Sequence, residues 1–172
     1  MEQPAQAVTT PITKGIVISL ILIILGLVSY FLDLGNNKPM QYVGYLIFII
    51  GIIWSVNLYG KQIDYNSTFG NYFAHGFKIS AFVTVFMLIF TVLFLYLFPD
   101  MKEKGMEAAR KGMEAKNMTP DQISQAMGFT QKFFMVFVIA GILVFYLFFG
   151  AIASLIGAGV TKKNPEHFTD GK

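Results

Sequence analysis

PDMKEKGMEAARKGMEAKNMTPDQISQAMGFTQK, residues 99–132, is the one long polar segment of an otherwise apolar chain, and its reading decides the fold. On both sides of it the sequence is too apolar to stay in water. Hydrophobic residues make up 55% of the 172 positions and charged residues only 13%, where a soluble domain carries roughly a quarter. The natural solvent of such a chain is lipid, so this segment is the part expected to leave it.

Within the segment, KGMEAAR at 104–110 is followed directly by KGMEAKN at 111–117, a repeat one heptad long. On a helix this sets Met106 and Met113 on one stripe with Gly105 and Gly112 beside it. It also pairs Asp100 with Lys104 and Glu107 with Lys111 at i, i+4 in the favourable order. Asn117 ends that helix. Thr119, Pro120 and Gln122 then occupy the cap, first and third positions of a second one, a capping box with proline where its missing N–H costs nothing. Ile123, Ala126 and Met127 share one side of the second helix and can pack back on the methionine stripe. The segment therefore predicts an extramembrane helical hairpin, with Gly105, Met106, Gly112, Met113, Ile123 and Met127 as its candidate interaction surface. Each glycine lowers helix stability by about 1 kcal/mol relative to alanine, so the first arm gains firmness by packing.

Working outward, the apolar runs divide into four spans, at about 12–32, 40–59, 79–98 and 133–160, each long enough for a hydrocarbon core of roughly 30 Å. The fold class expected is an all-α integral membrane protein, a single membrane domain over 1–172, with the hairpin between its third and fourth transmembrane helices. The amino-terminal tail lacks the basic start of a cleavable signal, and DLGNNKP after the first span reads as a turn rather than a cleavage site. In the second span Gly44 and Gly51 stand seven apart on one face, where small residues let a neighbouring helix approach. The third span is led by TFGNYFAHGFK, residues 68–78, an amphipathic stretch expected to ride in the headgroup layer, capped by Ser67 or Thr68. The fourth ends in Gly150, Ala153, Ser154, Gly157 and Ala158, small-xxx-small spacings that predict the most tightly packed helix. Tyr30, Tyr42, Tyr45 and Tyr96 fall near one interface and Trp54, Tyr59, Tyr65 and Tyr72 near the other, as an aromatic belt requires.

Lysine placement orients the chain. Lys14, Lys61, Lys78, Lys162 and Lys163 adjoin the spans on one side, against Lys38, Lys102 and Lys132 on the other. The more basic side faces the cytoplasm by the positive-inside rule, which places both termini there and the hairpin outside.

Between those lysines the spans carry no Asp, Glu, Lys, Arg or His, and His75, ahead of the third span, reads with His167 as an interfacial or solvated side chain. This argues against a pump or an ion-coupled carrier, since a buried charge is how a membrane site holds an ion. Thr84, Thr91 and Tyr146 are candidate intramembrane polar contacts, with the Tyr146 hydroxyl seeking one of the threonines. Methionine thioethers can hold Cu(I), but without histidine or cysteine in the hairpin its methionines read as packing. Cysteine is absent altogether, and no nucleophile, paired-carboxylate or phosphate-loop arrangement is present, so no cofactor and no enzyme activity are expected. Asn66-Ser67-Thr68 matches a glycosylation sequon, which matters only in a secretory pathway. A net charge of +3, scattered over loops and tails, does not describe a nucleic-acid partner.

The order of four spans, TFGNYFAHGFK before the third, FPD at 98–100, the KGMEAARKGMEAKNMTPDQISQAM hairpin and the closing IGAGVTKKNP resemble a family of bacterial inner-membrane proteins catalogued as a domain of unknown function. The resemblance runs over residues 12–165. It implies a four-helix membrane architecture in a bacterial inner membrane, and no activity or functional residue. The function expected is structural or interactive, with the lipid bilayer as surroundings and a protein partner or a second copy held through the hairpin. The alternative is a small transporter or channel for a neutral or lipid-like solute, passing between the third and fourth spans near Thr84, Thr91 and Tyr146.

Overall fold

A computed structural model describes residues 8–34 and 37–164. Among them the chain forms six helices and no strand: α1 (Pro11–Phe31), α2 (Lys38–Gln62), α3 (Phe69–Leu97), α4 (Asp100–Glu114), α5 (Pro120–Lys132) and α6 (Phe134–Val160). Four stretches are long and apolar enough to cross a membrane, namely Pro11–Phe31, Tyr42–Gln62, Phe69–Leu97 and Phe134–Val160. The protein is thus an all-α, multi-pass membrane protein with α4 and α5 between its third and fourth spans.

Local chemistry sets the helix ends. Thr10 caps α1 by accepting from the Thr13 N–H, and Asn37 caps α2 by accepting from the Met40 N–H at 3.3 Å, each with proline in the first turn. At α3 it is Thr68 that caps, its hydroxyl accepting from the Asn71 N–H at 3.3 Å. After α2 the chain turns through Asp64 and Tyr65, both at positive φ (51° and 58°). That backbone is unusual for a tyrosine. It is held by the Tyr65 N–H on the Gly60 carbonyl at 2.7 Å and by the Tyr65 carbonyl accepting from the Asn164 N–H at 3.1 Å.

The chain forms two compact units, one from the described residues of Met1–Met87 and Val144–Lys172, the other from Leu88–Leu143. The first is built around Ile18, Leu22, Phe48, Ile52, Val56, Tyr72, Ile79, Val83, Ala153 and Ala158. Backbone proximity makes this core. A Cβ on Gly51 would lie 3.2 Å from the Ile18 side chain and one on Gly44 3.6 Å from Leu25, so the paired glycines of α2 do face a neighbour, α1. The small-residue end of α6 is likewise buried at Gly150, Ala153, Ser154, Gly157 and Ala158. Only that end is enclosed, because the most apolar stretch of α6 is 6% buried against 28% for the other three spans. The expectation that α6 as a whole would be the most tightly packed helix is corrected accordingly: outside that end its side chains are half-buried, as Phe145 and Tyr146 are, or exposed.

The lead-in to the third span contributes to this core. It is the first part of an unbroken α3, and Tyr72, His75 and Gly76 on it are buried. They face the core because 72, 75, 76, 79, 80 and 83 recur with helical spacing as one enclosed face, so this turn packs against the bundle along that face.

In the second unit α4 packs against α5. Asn117 leaves α4 at a φ of 56°, a left-handed turn that asparagine tolerates better than most residues. Beyond α5 only Phe133 separates Lys132 from α6, and it keeps the helical hydrogen bonds on both sides, to the Phe129 carbonyl at 3.1 Å and from the Phe137 N–H at 3.0 Å.

Candidate functional site

Three places bear on function: the hairpin surface, the polar contacts within the spans, and a buried cluster that the sequence reading passed over.

The hairpin is held by its own short-range chemistry. The Thr119 hydroxyl accepts from the Gln122 N–H at 3.4 Å while the Gln122 side chain accepts from the Thr119 N–H at 2.9 Å, a complete capping box. On α4, Lys111 and Glu107 pair at 2.6 Å and Arg110 and Glu114 at 3.0 Å. The hydrogen bond from Lys111, and then its charge, hold the Glu107 carboxyl below the usual carboxylate range, and the same bond raises Lys111. Met106, Met113, Ile123 and Met127 are half-buried, as side chains at the seam of two packed helices are. The two glycines are not equivalent. Gly112 faces open space, whereas a Cβ on Gly105 would meet the Phe134 ring at 3.4 Å, with the Lys102 ammonium 5.8 Å from that ring's centre.

Among the intramembrane polar residues, Thr84 is buried and donates to the Ser80 carbonyl one turn back, at 2.8 Å. The bond that crosses between helices is a different one: the Ser80 hydroxyl donates to the Tyr146 main-chain carbonyl at 2.7 Å. The Tyr146 ring stands edge-on to Phe48 at 4.9 Å and, with Leu22, Gly44, Met87 and Phe145, lines a cavity of about 230 Å³ that also reaches Ser29 and Tyr45. Thr91 is half-buried and belongs to the second unit.

The third place lies where the start of α1, the end of α2 and the start of α3 meet. Lys14 is 8% exposed, its ammonium donating to the Ser55 carbonyl at 2.9 Å and standing 5.9 Å from the centre of the Tyr59 ring. His75, also 8% exposed, stacks on Tyr59 at 3.9 Å with the rings 8° from parallel. Tyr72 is fully buried and meets Tyr59 edge-on at 6.0 Å. Three groups able to donate hydrogen bonds therefore border one aromatic ring. One reading is corrected by this: Lys14 and His75 are buried against the bundle rather than solvated, and Tyr72 is enclosed beside them. The spans are consequently not free of ionisable side chains.

A signal for this cluster was present. Lys14, Ile18 and Leu22 are spaced by four, so any α1 that buries Ile18 and Leu22 also turns Lys14 inward. Likewise Tyr72, His75, Gly76 and Ile79 share one face of α3. Reading Lys14 as the end of a span, instead of as the first member of its buried face, hid the site.

The model of a family described as "Protein of unknown function (DUF4199)" matches residues 13–163, nearly the whole chain and all six helices, and the protein belongs to that family. No curated protein and no solved structure matches.

Proposed function

We propose that this four-span membrane protein is an interaction protein, whose α4–α5 hairpin takes a helical partner or the hairpin of a second copy. In this reading it resides in a bacterial inner membrane with both termini cytoplasmic, as the span-flanking lysines suggest, and has no enzymatic role. The observation that carries the reading is the organisation of the one long polar segment. A capping box, two i, i+4 ion pairs and an interhelical seam make it a folded element rather than a loose connection. Glu107 and Glu114 are engaged in those pairs, so they support a helix face better than acid–base work. Gly112, with open space over its Cα and Met113 next to it, offers the close approach that helix-on-helix packing uses.

The test is site-directed photo-crosslinking in intact membranes from position 112, compared with a protein in which 102–132 is replaced by a short linker. The proposal expects a discrete crosslinked species from Gly112 and loss of co-purification on deletion, while the shortened protein still inserts. Unchanged association after deletion would sink it.

A second reading rests on the cavity beside Tyr146. Its wall is mostly apolar with the Ser29 and Tyr146 side chains included, which suits a neutral or lipid-like solute. Uptake into liposomes that Tyr146→Phe abolishes would favour transport, and equal leak through protein-containing and empty liposomes would exclude it.

A further inference from the structure

Lys14 carries three N–H donors, and among the described residues one acceptor meets them, the Ser55 carbonyl at 2.9 Å. That carbonyl belongs to the interior of α2 and brings no negative charge. No carboxylate among the described residues pairs with Lys14. The Tyr59 ring supplies a weak cation–π contact, worth little beside the cost of enclosing an ammonium without a counter-charge. Around the same ring, His75 Nε2 and the Tyr72 hydroxyl are both buried without a hydrogen-bond partner. Unmet polar atoms are rare in protein interiors and ask for a reason. Here all three can be donors, a tautomer of His75 protonated at Nε2 included: Lys14 has one acceptor for three N–H groups, and the other two have none among the described residues.

The surroundings have the matching sign. The first unit gathers Lys61, Lys78, Lys162 and Lys163 at this end, with Asp64 the one acid among the described residues there. The end is held as one piece: Thr9 bonds the Gln62 side chain at 3.0 Å, the Asn164 N–H bonds the Tyr65 carbonyl at 3.1 Å, and a Cβ on Gly60 would lie 2.5 Å from Thr161. A positive rim around buried donors concentrates anions. A phosphate oxyanion supplies both the charge and the several acceptor oxygens that an ammonium, an imidazole N–H and a phenol together require. At the end of a transmembrane bundle, anionic phospholipid headgroups are a ready source of that group.

We propose that Lys14, with His75 Nε2 and the Tyr72 hydroxyl as supporting donors around Tyr59, binds the phosphate of an anionic phospholipid. This does not depend on the hairpin reading.

The test measures lipid binding to the purified full-length protein in nonionic detergent by native mass spectrometry, adding phosphatidylglycerol, phosphatidylcholine or inorganic phosphate. Phosphatidylglycerol is expected to bind at least about tenfold more tightly than phosphatidylcholine, with Lys14→Gln erasing the preference and Tyr72→Phe weakening binding about threefold. Lys132→Gln, on the hairpin, should bind as the wild type does. Displacement of the lipid by millimolar inorganic phosphate would assign the site to the free anion, and persistence of the lipid would assign it to the headgroup. Unchanged phosphatidylglycerol affinity in either Lys14→Gln or Tyr72→Phe overturns the proposal. Should Lys14→Gln fail to fold, Tyr72→Phe decides alone, since it removes one oxygen and keeps the ring.

Discussion

A methyl group added at Gly150 has nowhere to go: it would overlap the Ser80 hydroxyl, which is the group that bonds the Tyr146 carbonyl and joins α3 to α6. Moving Ser80 aside breaks that bond, so Gly150→Ala costs both packing and a hydrogen bond, about 2–4 kcal/mol together. Gly76→Ala meets Ser154 and Val56 at 2.7–2.9 Å and should cost a similar amount by overpacking. Gly26→Ala, with nothing within 4 Å of the added atom, should stay within about 1 kcal/mol of wild type. Reversible denaturation in mixed micelles checks all three, and a Gly26→Ala as damaging as Gly150→Ala would refute the packing described. At this scale the sequence was partly legible. Gly44, Gly51 and the α6 small residues could be read as contact positions because close approach in lipid needs them. Which atoms they would meet could not, because Ser80 and Ser154 are distant in sequence and only the three-dimensional pairing of α3 with α6 brings them together.

At the scale of elements, the hairpin was the most legible part, since caps and i, i+4 pairs are local. Thr119 and Gln122 form the capping box their spacing predicts, so Thr119→Ala should destabilise the start of α5 by about 0.5–2 kcal/mol. Hydrogen exchange should show faster amides over 121–124 with α1 and α2 unaffected. The Glu107–Lys111 pair gives α4 a pH window. Glu107 titrates lower when folded than its ordinary 4.5, so its contribution is present above that value and fades as pH falls through the depressed one. Lys111 titrates higher than its ordinary 10.5, so its part is present below that and fades as pH rises through the raised one. Exchange protection of α4, corrected for intrinsic rates, should therefore be flat between about pH 5 and 10 and fall on the acid side, and Glu107→Gln should reduce that acid limb, leaving the part due to the Arg110–Glu114 pair. Elements also show where local reading stops. The stretch before the third span reads as amphipathic, with Asn71, His75 and Lys78 on one face, but which face is enclosed was decided by tertiary packing, which buries Tyr72, His75 and Gly76.

For the whole molecule, hydropathy alone is enough to divide the chain into four crossings, because an 18-residue apolar helix has few alternatives to lipid. The buried Lys14–Tyr59–His75–Tyr72 cluster lay beyond that reading, for it draws on three helices and on charges that a span-by-span scan assigns to the water. The proposal to be tested at this scale is topological: that the four apolar helices each cross the membrane, with both termini cytoplasmic and the 99–132 segment outside. The native chain has no cysteine, so single substitutions Ala5→Cys, Asn36→Cys, Asn66→Cys, Ala115→Cys and Gly171→Cys each create the sole thiol. Labelling of intact cells with a membrane-impermeant maleimide, compared with labelling after permeabilisation, is the most direct test. Asn36→Cys and Ala115→Cys should label in intact cells, and Ala5→Cys, Asn66→Cys and Gly171→Cys only after permeabilisation; labelling of Asn36→Cys and Ala115→Cys from opposite sides would contradict the four-span account.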